Sequence, residues 1–534
     1  MKKILLIGIV CVQFSVYAQQ DAWVYFNDKA NVQASIDNPI SILTQQAIDR
    51  KNVYGIAIDE RDVPVNETYI TLLKAPETGV TVFAKSKWFN AVYVQGSEED
   101  INALVDDFDF VETVDFADDN LNMSRVEMVE DKFSIENAEV SFNYGDTQNQ
   151  IEMINADALH LQDYTGDGII VAVLDSGFPN VDIMGAFQRL RDNGDLLGGY
   201  DFVRRDANVH AFAGNDHGTK VLSNMAGFVQ DQFVGTAPDA SYYLFLTEDV
   251  GSETPVEEAY WVEAAERSDS LGVHVINTSL GYKTYQNPNY THTDEDLNGS
   301  TTFITRGANI ANEKGILVVT SAGNSGASGV GAPADATGVL SIAAVDSDGD
   351  YVGFSSQGSS IQPTQKPDVA ARGGATFVIN SSNTIVNNNG TSFSSPLMAG
   401  GIASLMQALP NATHEEIKDY VRMSASQFTT PDFFIGYGIP DLQLALDIGL
   451  SLQEEEFFEF KVFPNPANDI LNVQIPTIND ITTLRIFDVL GKFVLEQNLT
   501  ESSSQLDMSS MAPGLYIMTF QSGNASKTFK LIKS

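Results

Sequence analysis

The chain is short of cysteine and of basic residues. Of its 534 residues one is cysteine, and 30 Lys and Arg stand against 71 Asp and Glu. That cysteine, Cys11, lies in an N-terminal apolar run that we expect to be removed, which excludes disulfides, thiol catalysis and Cys-ligated zinc from the rest. The net charge of −41 argues against nucleic acid as a partner, because phosphate backbones are bound by clustered Lys and Arg.

Long apolar runs are also missing beyond the N-terminus. Met1-Lys2-Lys3 precedes an apolar run to about Val16, and Val16-Tyr17-Ala18 offers small residues where a signal peptidase cleaves. We therefore expect a signal peptide at residues 1–18 and an exported product. No later stretch reaches the roughly 18 apolar residues that span a bilayer, so we expect no transmembrane segment in the mature chain.

At 534 residues the chain is long enough for several domains, and its 43% of hydrophobic residues is enough for them to fold. Residues 19–119 have the size and strand content of a small α+β domain, and a polar connector follows at 120–149. Residues 150–450 alternate β-branched runs with small-residue helices, which indicates an α/β domain with a doubly wound, mostly parallel sheet. A linker at 451–458 leads to alternating strands at 459–534, which we interpret as a small β-sandwich.

Four residues in the α/β domain occur in places where chemistry is possible. Asp175 ends the predicted strand 169–174, where open α/β sheets place their sites, and His217 precedes a small-residue helix. Ser392 begins a buried helix, whose unpaired N–H groups favour an oxyanion, and Asn324 follows the predicted strand 316–319. Taken singly, each has an ordinary structural explanation as a loop cap, a core histidine, a helix N-cap or a turn asparagine.

Taken together, these residues stand in the motifs Asp175-Ser176-Gly177, His217-Gly218-Thr219 and Gly390-Thr391-Ser392 with Pro396. In these motifs and in their order along the chain, residues 149–449 resemble the subtilisin-like serine peptidases. The resemblance implies that Ser392 is the nucleophile, His217 the general base and acid, and Asp175 the group that orients the imidazole. It also implies that Asn324 stabilises the oxyanion, and it implies no required cofactor.

The same resemblance implies a substrate site for extended polypeptide. Ser279, Leu280 and Gly281 end a predicted strand that looks like the family's substrate-binding edge, where a peptide adds by main-chain hydrogen bonds. Gly331 aligns with the glycine that leaves the specificity pocket open, which predicts a large apolar side chain before the cleaved bond. The polar insertion 282–299 is expected to lie over the cleft and to narrow substrate choice.

A structural calcium ion is a further hypothesis. Asp294, Asp296 and Asn298 match the start of a calcium loop, but position twelve is Thr305 where a glutamate is usual. The alternative is a solvated turn.

The flanking segments carry resemblances of their own. Residues 19–119 resemble the propeptides of these peptidases, although a permanent N-terminal domain is the alternative. The C-terminal segment resembles the sorting domains of the type IX secretion system, through Phe463-Pro464-Asn465-Pro466 and Gly514-Leu515-Tyr516. This implies that the secretion machinery is a partner and that the product reaches the cell surface or the medium. The alternative for the whole chain is a catalytically silent adhesin or scaffold of the same fold.

Overall fold

The computed structural model describes residues 19–118, 121, 144–458, 461–474, 482–488, 492–499, 503–522 and 525–534. The expected signal peptide at 1–18 and most of the expected connector at 120–149 lie outside the described residues. Within these ranges, no helix combines the length and the apolar character needed to cross a membrane.

The N-terminal domain is an antiparallel four-stranded sheet, in the order β2-β3-β1-β4, with helices beside it. Its elements are β1 Gln19–Phe26, α1 Val32–Asp37, α2 Gln45–Val53, α3 Glu67–Leu73, β2 Thr81–Ser86, β3 Ala91–Ser97, α4 Glu98–Asp107 and β4 Val111–Phe116. Ile101 and Leu104 on α4 and Val24 on β1 belong to one buried cluster, so the domain has a core of its own.

The central domain is built on a parallel seven-stranded sheet with helices on both faces. Its elements are α5 Gln148–Glu152, α6 Ala156–His160, β5 Ile170–Asp175, α7 Gln188–Asp192, β6 Leu196–Asp201, α8 His217–Ala226, β7 Phe228–Val229, β8 Phe233–Val234, β9 Ser241–Leu246, α9 Val256–Leu271, β10 Val275–Thr278, α10 Phe303–Glu313, β11 Leu317–Ser321, β12 Leu340–Val345, β13 Val369–Arg372, β14 Thr376–Ile379, β15 Ile385–Asn388, α11 Thr391–Ala408, α12 His414–Met423 and α13 Leu442–Phe458.

The side chains of β5 alternate between two cores, as those of a strand buried on both faces must. Val171 and Val173 pack into the cluster that contains α8 and α11. Ala172 and Leu174 pack into the cluster that contains α9 and α10. The sequence prediction of a doubly wound parallel sheet is therefore confirmed.

The strand order of this sheet places a crevice beside β5. The order is β13-β12-β11-β10-β5-β9-β6, so the chain builds β6 and β9 on one side of β5 before crossing to β10 on the other. The carboxyl ends of β5 and β10 flank this switch point, where ligands bind in open α/β sheets. Asp175 is the last residue of β5, and Ser279 follows β10.

The N-terminal and central domains share a hydrophobic cluster. Trp23, Trp88 and Tyr93 of the N-terminal domain belong to the cluster that contains α9 and α10. Glu266 on α9 accepts hydrogen bonds from the backbone N–H groups of Lys87 (2.9 Å) and Trp88 (3.0 Å), in the turn between β2 and β3. The two domains are thus joined by both apolar packing and polar contacts.

The C-terminal domain consists of two antiparallel sheets. Its strands are β16 Lys461–Phe463, β17 Ile470–Gln474, β18 Thr482–Asp488, β19 Phe493–Leu499, β20 Ser503–Asp507, β21 Gly514–Ser522 and β22 Ala525–Lys533. They pair in the orders β16-β17-β20 and β19-β18-β21-β22. Leu471 and Leu506 of one sheet and Ile486 and Met518 of the other share one buried cluster, as in a β-sandwich.

Two expected boundaries differ from the elements observed. Residues 451–458, interpreted as a linker, are the last turns of α13. The end of the expected connector, 144–149, already packs on the central domain, because the Thr147 hydroxyl accepts from Val234 N at 3.1 Å. Both segments are polar in sequence, which is typical of connectors. The structure differs because α13 continues through residues 451–458 and tertiary contacts hold residues 144–149.

Candidate active site

Asp175 and His217 form a carboxylate–imidazole pair that is buried on the carboxylate side and partly exposed at the imidazole. His217 Nδ1 lies 2.8 Å from Asp175 Oδ1, and the Asp175 side chain is fully buried. The same carboxylate oxygen accepts a hydrogen bond from Ser176 N at 2.7 Å. These contacts fix the orientation of the imidazole ring relative to the end of β5.

Glycines in the two motifs allow this close approach of α8 to β5. A Cβ on Gly218 would lie 2.6 Å from Gly177 O and 3.0 Å from Asp175 Cβ. Next along the helix, Thr219 donates from its hydroxyl to Pro179 O at 3.0 Å and from its backbone N to Gly177 O at 3.2 Å. The Asp-Ser-Gly and His-Gly-Thr motifs are therefore two halves of one contact.

Ser392 lies in the first turn of α11, close to the end of β10. Its hydroxyl donates to Ser279 O at 3.3 Å, and the Ser279 hydroxyl donates to Ser392 O at 2.8 Å. Ser395, one turn later, donates to Asn277 Oδ1 at 3.0 Å. These reciprocal bonds hold the start of α11 against β10. In addition, the ring of Phe393 lies 5.7 Å from that of His217, centroid to centroid.

Asn324 lies beside the same helix start. Its Oδ1 accepts from both the backbone N and the hydroxyl of Thr391, each at 2.9 Å, so the amide Nδ2 points the other way. A Cβ on Gly390 would lie 3.5 Å from Asn324 Nδ2 and 3.7 Å from Ser392 N. Asn324 Nδ2 and Ser392 N thus both lie beside the position that a side chain at residue 390 would take. Two N–H donors close to one point are what an oxyanion hole requires.

The charge of Asp175 controls the titration of His217. Burial alone lowers the pKa of His217, but the Asp175 carboxylate and its hydrogen bond outweigh burial and raise the pKa above its usual 6.5. Histidine suits proton transfer because, among the side chains, its ordinary pKa lies closest to neutral pH.

The pairing of β10 bears on the expected substrate-binding strand. β10 ends at Thr278 and pairs with β5 on one side and β11 on the other, so residues 275–278 offer no free edge to a peptide. Only the residues beyond the strand, Ser279, Leu280 and Gly281, leave this pairing. The Ser279 side chain is buried against Ser392 and positions the helix start. The expected binding of a peptide by the main chain of Ser279, Leu280 and Gly281 stays a prediction.

Gly331 directly precedes Ala332, which pairs with Tyr282 in an isolated antiparallel bridge. Tyr282 N donates to Ala332 O at 2.7 Å, and Ala332 N donates to Tyr282 O at 2.9 Å. A Cβ on Gly331 would lie 3.2 Å from Tyr282 O. A side chain at this position would therefore press on the Tyr282 backbone, whereas the predicted role of Gly331 in a specificity pocket stays a prediction.

The insertion 282–299 directs its tyrosines inward and toward the N-terminal domain. Tyr282 and Tyr285 are buried, and their hydroxyls bond Glu248 and Glu258. Tyr290 donates to Asp21 at 3.1 Å, and Asn289 donates to Asp118 at 2.9 Å, both in the N-terminal domain. The insertion is thus in part a contact surface for that domain, a role that its polar sequence does not indicate.

The three calcium candidates make separate contacts. Asp294 pairs with Lys283 Nζ at 2.7 Å, and Asp296 accepts from Thr293 N, also at 2.7 Å. Asn298 donates to Glu295 O at 2.7 Å. Among the residues that the structure describes, no group of three or more His, Cys, Asp or Glu side chains is placed to hold a metal ion. The calcium hypothesis therefore gains no support from this loop.

Sequence reasoning named the four principal side chains but missed those that position them. Thr391 orients the Asn324 amide, and Asn277 with Ser395 ties β10 to α11. A local signal exists for Thr391, which lies inside the Gly-Thr-Ser motif. Asn277 has none, because its sequence context is that of an ordinary residue of a buried strand.

The parallel sheet, and the side chains at its carboxyl edge, are those expected of an α/β serine peptidase. These side chains are Asp175, His217, Asn324 and Ser392. The description "Subtilase family" matches residues 166–438, "Peptidase S8 propeptide domain, Bacteroidota" matches residues 21–133, and "Secretion system C-terminal sorting domain" matches residues 461–534. The chain belongs to the subtilase family and is a serine endopeptidase whose substrates are polypeptides. The sorting domain, of the type IX system, marks it for export across the outer membrane to the cell surface or beyond.

Individual relatives agree with this assignment. The thermostable alkaline protease of Halalkalibacterium halodurans is 30% identical over 286 residues, which cover 53% of this chain and 69% of that protein. Subtilisin E of Bacillus subtilis is 31% identical over 300 residues, which cover 55% and 70%. Among solved structures, the epidermin leader peptide processing serine protease of Staphylococcus aureus has a TM-score of 0.55 at 15% identity, covering 81% of this chain and 99% of that one. This last likeness concerns the fold alone.

Proposed function

We propose that the protein is a secreted serine endopeptidase that cleaves peptide bonds through an acyl-enzyme on Ser392. The observation that carries this proposal is the meeting of four side chains from separate elements. The 2.8 Å pair of Asp175 and His217, the helix start with Ser392 and the amide of Asn324 all gather at the carboxyl edge of one sheet. A scaffold or adhesin has no need of all four.

The reaction assigns one role to each group. His217 takes the Ser392 hydroxyl proton as the oxygen bonds to the peptide carbonyl carbon, and Nε2 is the accepting atom because Nδ1 contacts Asp175. His217 then gives this proton to the leaving amine as the C–N bond breaks. Water, deprotonated in turn by His217, then attacks the ester carbon, and His217 returns that proton to Ser392 Oγ as the ester C–O bond breaks. Asn324 Nδ2 and Ser392 N bind the oxyanion of each tetrahedral intermediate.

The N-terminal domain is proposed to be a propeptide that is removed from the active enzyme. Its match to a propeptide family and its packing against α9 support this role. The proposal locates the cut between the last described residues of that domain and residue 144, outside the described residues. No cofactor is required by this chemistry, and a structural calcium ion remains a hypothesis.

The proposal is tested by hydrolysis of casein with the secreted wild type, Ser392→Ala and Ser394→Ala. Ser394 is a matched control in the same helix, because its buried hydroxyl bonds only within that helix turn, to Thr391 O at 3.1 Å. We expect Ser392→Ala to lower kcat about 10⁶-fold, the loss known for the corresponding substitution in a subtilisin, and Ser394→Ala to retain activity. A fully inert wild type, with its N-terminal domain removed, would contradict the proposal.

A further inference from the structure

A chain of alternating charges is buried between the N-terminal and catalytic domains. Asp269, on α9, lies 2.5 Å from Arg50 Nη2 and 2.9 Å from Lys51 Nζ of the N-terminal domain. Lys314, just after α10, lies 2.9 Å from both Asp59 and Asp62 of that domain. Lys51 and Asp62 connect the two halves at 3.2 Å. We call these six residues the buried charge chain: Arg50, Asp269, Lys51, Asp62, Lys314 and Asp59.

Burial makes this arrangement selective. Five of the six side chains are at most 1% exposed, and only Asp59 reaches solvent. A buried ion pair gains little over its cost of desolvation, but a buried charge that loses its partner is strongly unfavourable. Such pairs therefore contribute more to the choice of partner than to affinity.

The catalytic domain contributes one charge of each sign to the buried charge chain. Asp269 requires a cation on the partner, and Lys314 requires a carboxylate. A partner with the opposite pattern would bury two like-charged pairs, so the two positions together discriminate more strongly than one sign of charge would.

Backbone packing prevents the partner from sliding along this surface. Thr44 N donates to Ser270 O at 3.0 Å, and Arg50 also donates to Val273 O at 2.6 Å. Gly272 has φ +85°, and a Cβ there would lie 2.7 Å from Ala47 N, so the backbone of α2 rests directly on the end of α9. The cations at 50 and 51 are thereby held opposite Asp269.

We propose that Asp269 and Lys314 read the charge pattern of residues 50–62 and restrict this surface to the chain's own N-terminal domain. The partner that fits this surface is a domain with two adjacent cations on a helix and with carboxylates in the segment that follows the helix. The inference rests on the proposed function only for the name propeptide, because the contacts exist whether or not the enzyme turns over.

The chain contains a matched pair for the test. Glu313, next to Lys314, contacts Arg61 of the N-terminal domain at 2.6 Å, but these side chains are 57% and 35% exposed. Exposed pairs of this kind contribute little. Lys314→Gln and Glu313→Gln therefore remove one charge at adjacent positions of the same interface, one buried and one exposed.

Hydrogen–deuterium exchange on the full chain with Ser392→Ala measures docking without proteolysis. We expect Lys314→Gln to speed exchange of backbone amides in residues 44–62 and 86–90 about 100-fold, since a buried charge loses its partner. Glu313→Gln should change it less than about threefold. Lys314→Arg, which keeps the charge, should restore slow exchange. Adding Asp62→Asn to Lys314→Gln should cost less than the sum of the single effects.

Equal exchange in Lys314→Gln and Glu313→Gln, or strictly additive effects, would overturn the proposal. Faster exchange in β5 and α11 as well would also overturn it, because the charge chain would then be a general stabiliser of the fold. The casein assay is independent of these arms: an inert wild type would contradict the proposed function and leave the exchange results unchanged.

Discussion

Among the residues that the structure describes, two largely buried carboxylate–histidine pairs have nearly equal length and different surroundings. Asp175 and His217 lie 2.8 Å apart at the carboxyl edge of the sheet, and Glu258 and His292 lie 2.7 Å apart between α9 and the insertion 282–299. Burial opposes the charge of each imidazole, but the carboxylate prevails and raises the pKa of both. The pairs thus resemble each other in geometry and in electrostatics.

Their surroundings separate them. The Glu258 carboxylate also accepts from the Tyr285 hydroxyl and from Ile304 N at 2.9 Å, so both its oxygens serve the packing of the insertion and α10. Asp175 Oδ2 has no hydrogen-bond partner among the described residues, and its histidine lies near the helix start that carries Ser392. A carboxylate–imidazole pair therefore becomes a candidate catalyst only where a nucleophile and N–H donors converge on it.

The largest expected difference between the pairs is in turnover. Asp175→Asn should lower kcat about 10⁴-fold, because the amide no longer holds the imidazole in the right tautomer or stabilises its cation. Glu258→Gln should leave kcat of the folded enzyme within a few-fold of wild type. Casein hydrolysis per titrated active site measures both. Equal losses in the two variants would show that the pairs are not functionally distinct.

The oxyanion donor should have the next largest effect. Asn324→Ala removes one N–H donor, and we expect kcat to fall about 10²–10³-fold with KM nearly unchanged, since the bond forms mainly in the transition state. Thr391→Val removes only the hydroxyl that orients the Asn324 amide, so a smaller loss is expected. Steady-state kinetics on a chromogenic peptide test both variants. A rise in KM at constant kcat would assign Asn324 to ground-state binding.

The two histidines should respond to pH in different measurements. His217 is active when neutral, so turnover should rise with pH through a pKa above 6.5. His292 has a raised pKa in the folded state, so its contribution to stability is complete below the unfolded value of about 6.5 and is lost as pH rises through the folded value. A tenfold difference in proton affinity between the folded and unfolded states corresponds to about 1.4 kcal/mol of stability.

Thermal unfolding of full-length Ser392→Ala, with and without His292→Gln, tests the predicted pH dependence of the stability that His292 contributes. We expect the difference in Tm between the two chains to be largest near pH 5.5 and to narrow toward pH 9. A difference that grows with pH would mean that His292 is stabilising in its neutral form.

The smallest expected effect concerns the loop 294–298. A calcium site there predicts that a chelator lowers Tm and that Asp296→Asn abolishes this response. The contacts observed predict only the loss of two hydrogen bonds from Thr293, about 1 kcal/mol, with or without calcium. We expect only this loss of two hydrogen bonds, with no response to calcium. Thermal unfolding of Ser392→Ala, with and without Asp296→Asn, in calcium or in chelator measures it.

Local sequence was sufficient for much of the catalytic domain. The predicted strand 169–174 is observed as Ile170–Asp175, and the predicted strand 339–345 as Leu340–Val345. These predictions succeed because a buried parallel strand is a short apolar run whose limits are set by its neighbours in sequence. The motifs around Asp175 and His217 succeed for a similar reason, since glycine at 177 and 218 permits a backbone contact that side chains would block.

Local sequence was not sufficient to predict the contacts of the insertion 282–299. Its polar composition with tyrosines suggests a loop over the cleft, which stays a prediction, but does not indicate that Tyr282 and Tyr285 are buried and that Tyr290 contacts the N-terminal domain. These contacts escape sequence analysis because a tyrosine can bury its ring and still satisfy its hydroxyl, so its destination depends on distant carboxylates. Those partners, at Glu248, Glu258 and Asp21, lie far away along the chain.

The sequence by itself determined the candidate catalytic residues, the α/β class and the three-domain order, because motifs and strand periodicity are local properties. Only the tertiary structure decided which histidine lies near the start of α11, that β10 is paired on both edges, and which charges are buried between domains. These outcomes depend on contacts between residues such as Arg50 and Asp269, far apart in the chain. Desolvation sets the energy of such contacts, and burial is a property of the whole fold.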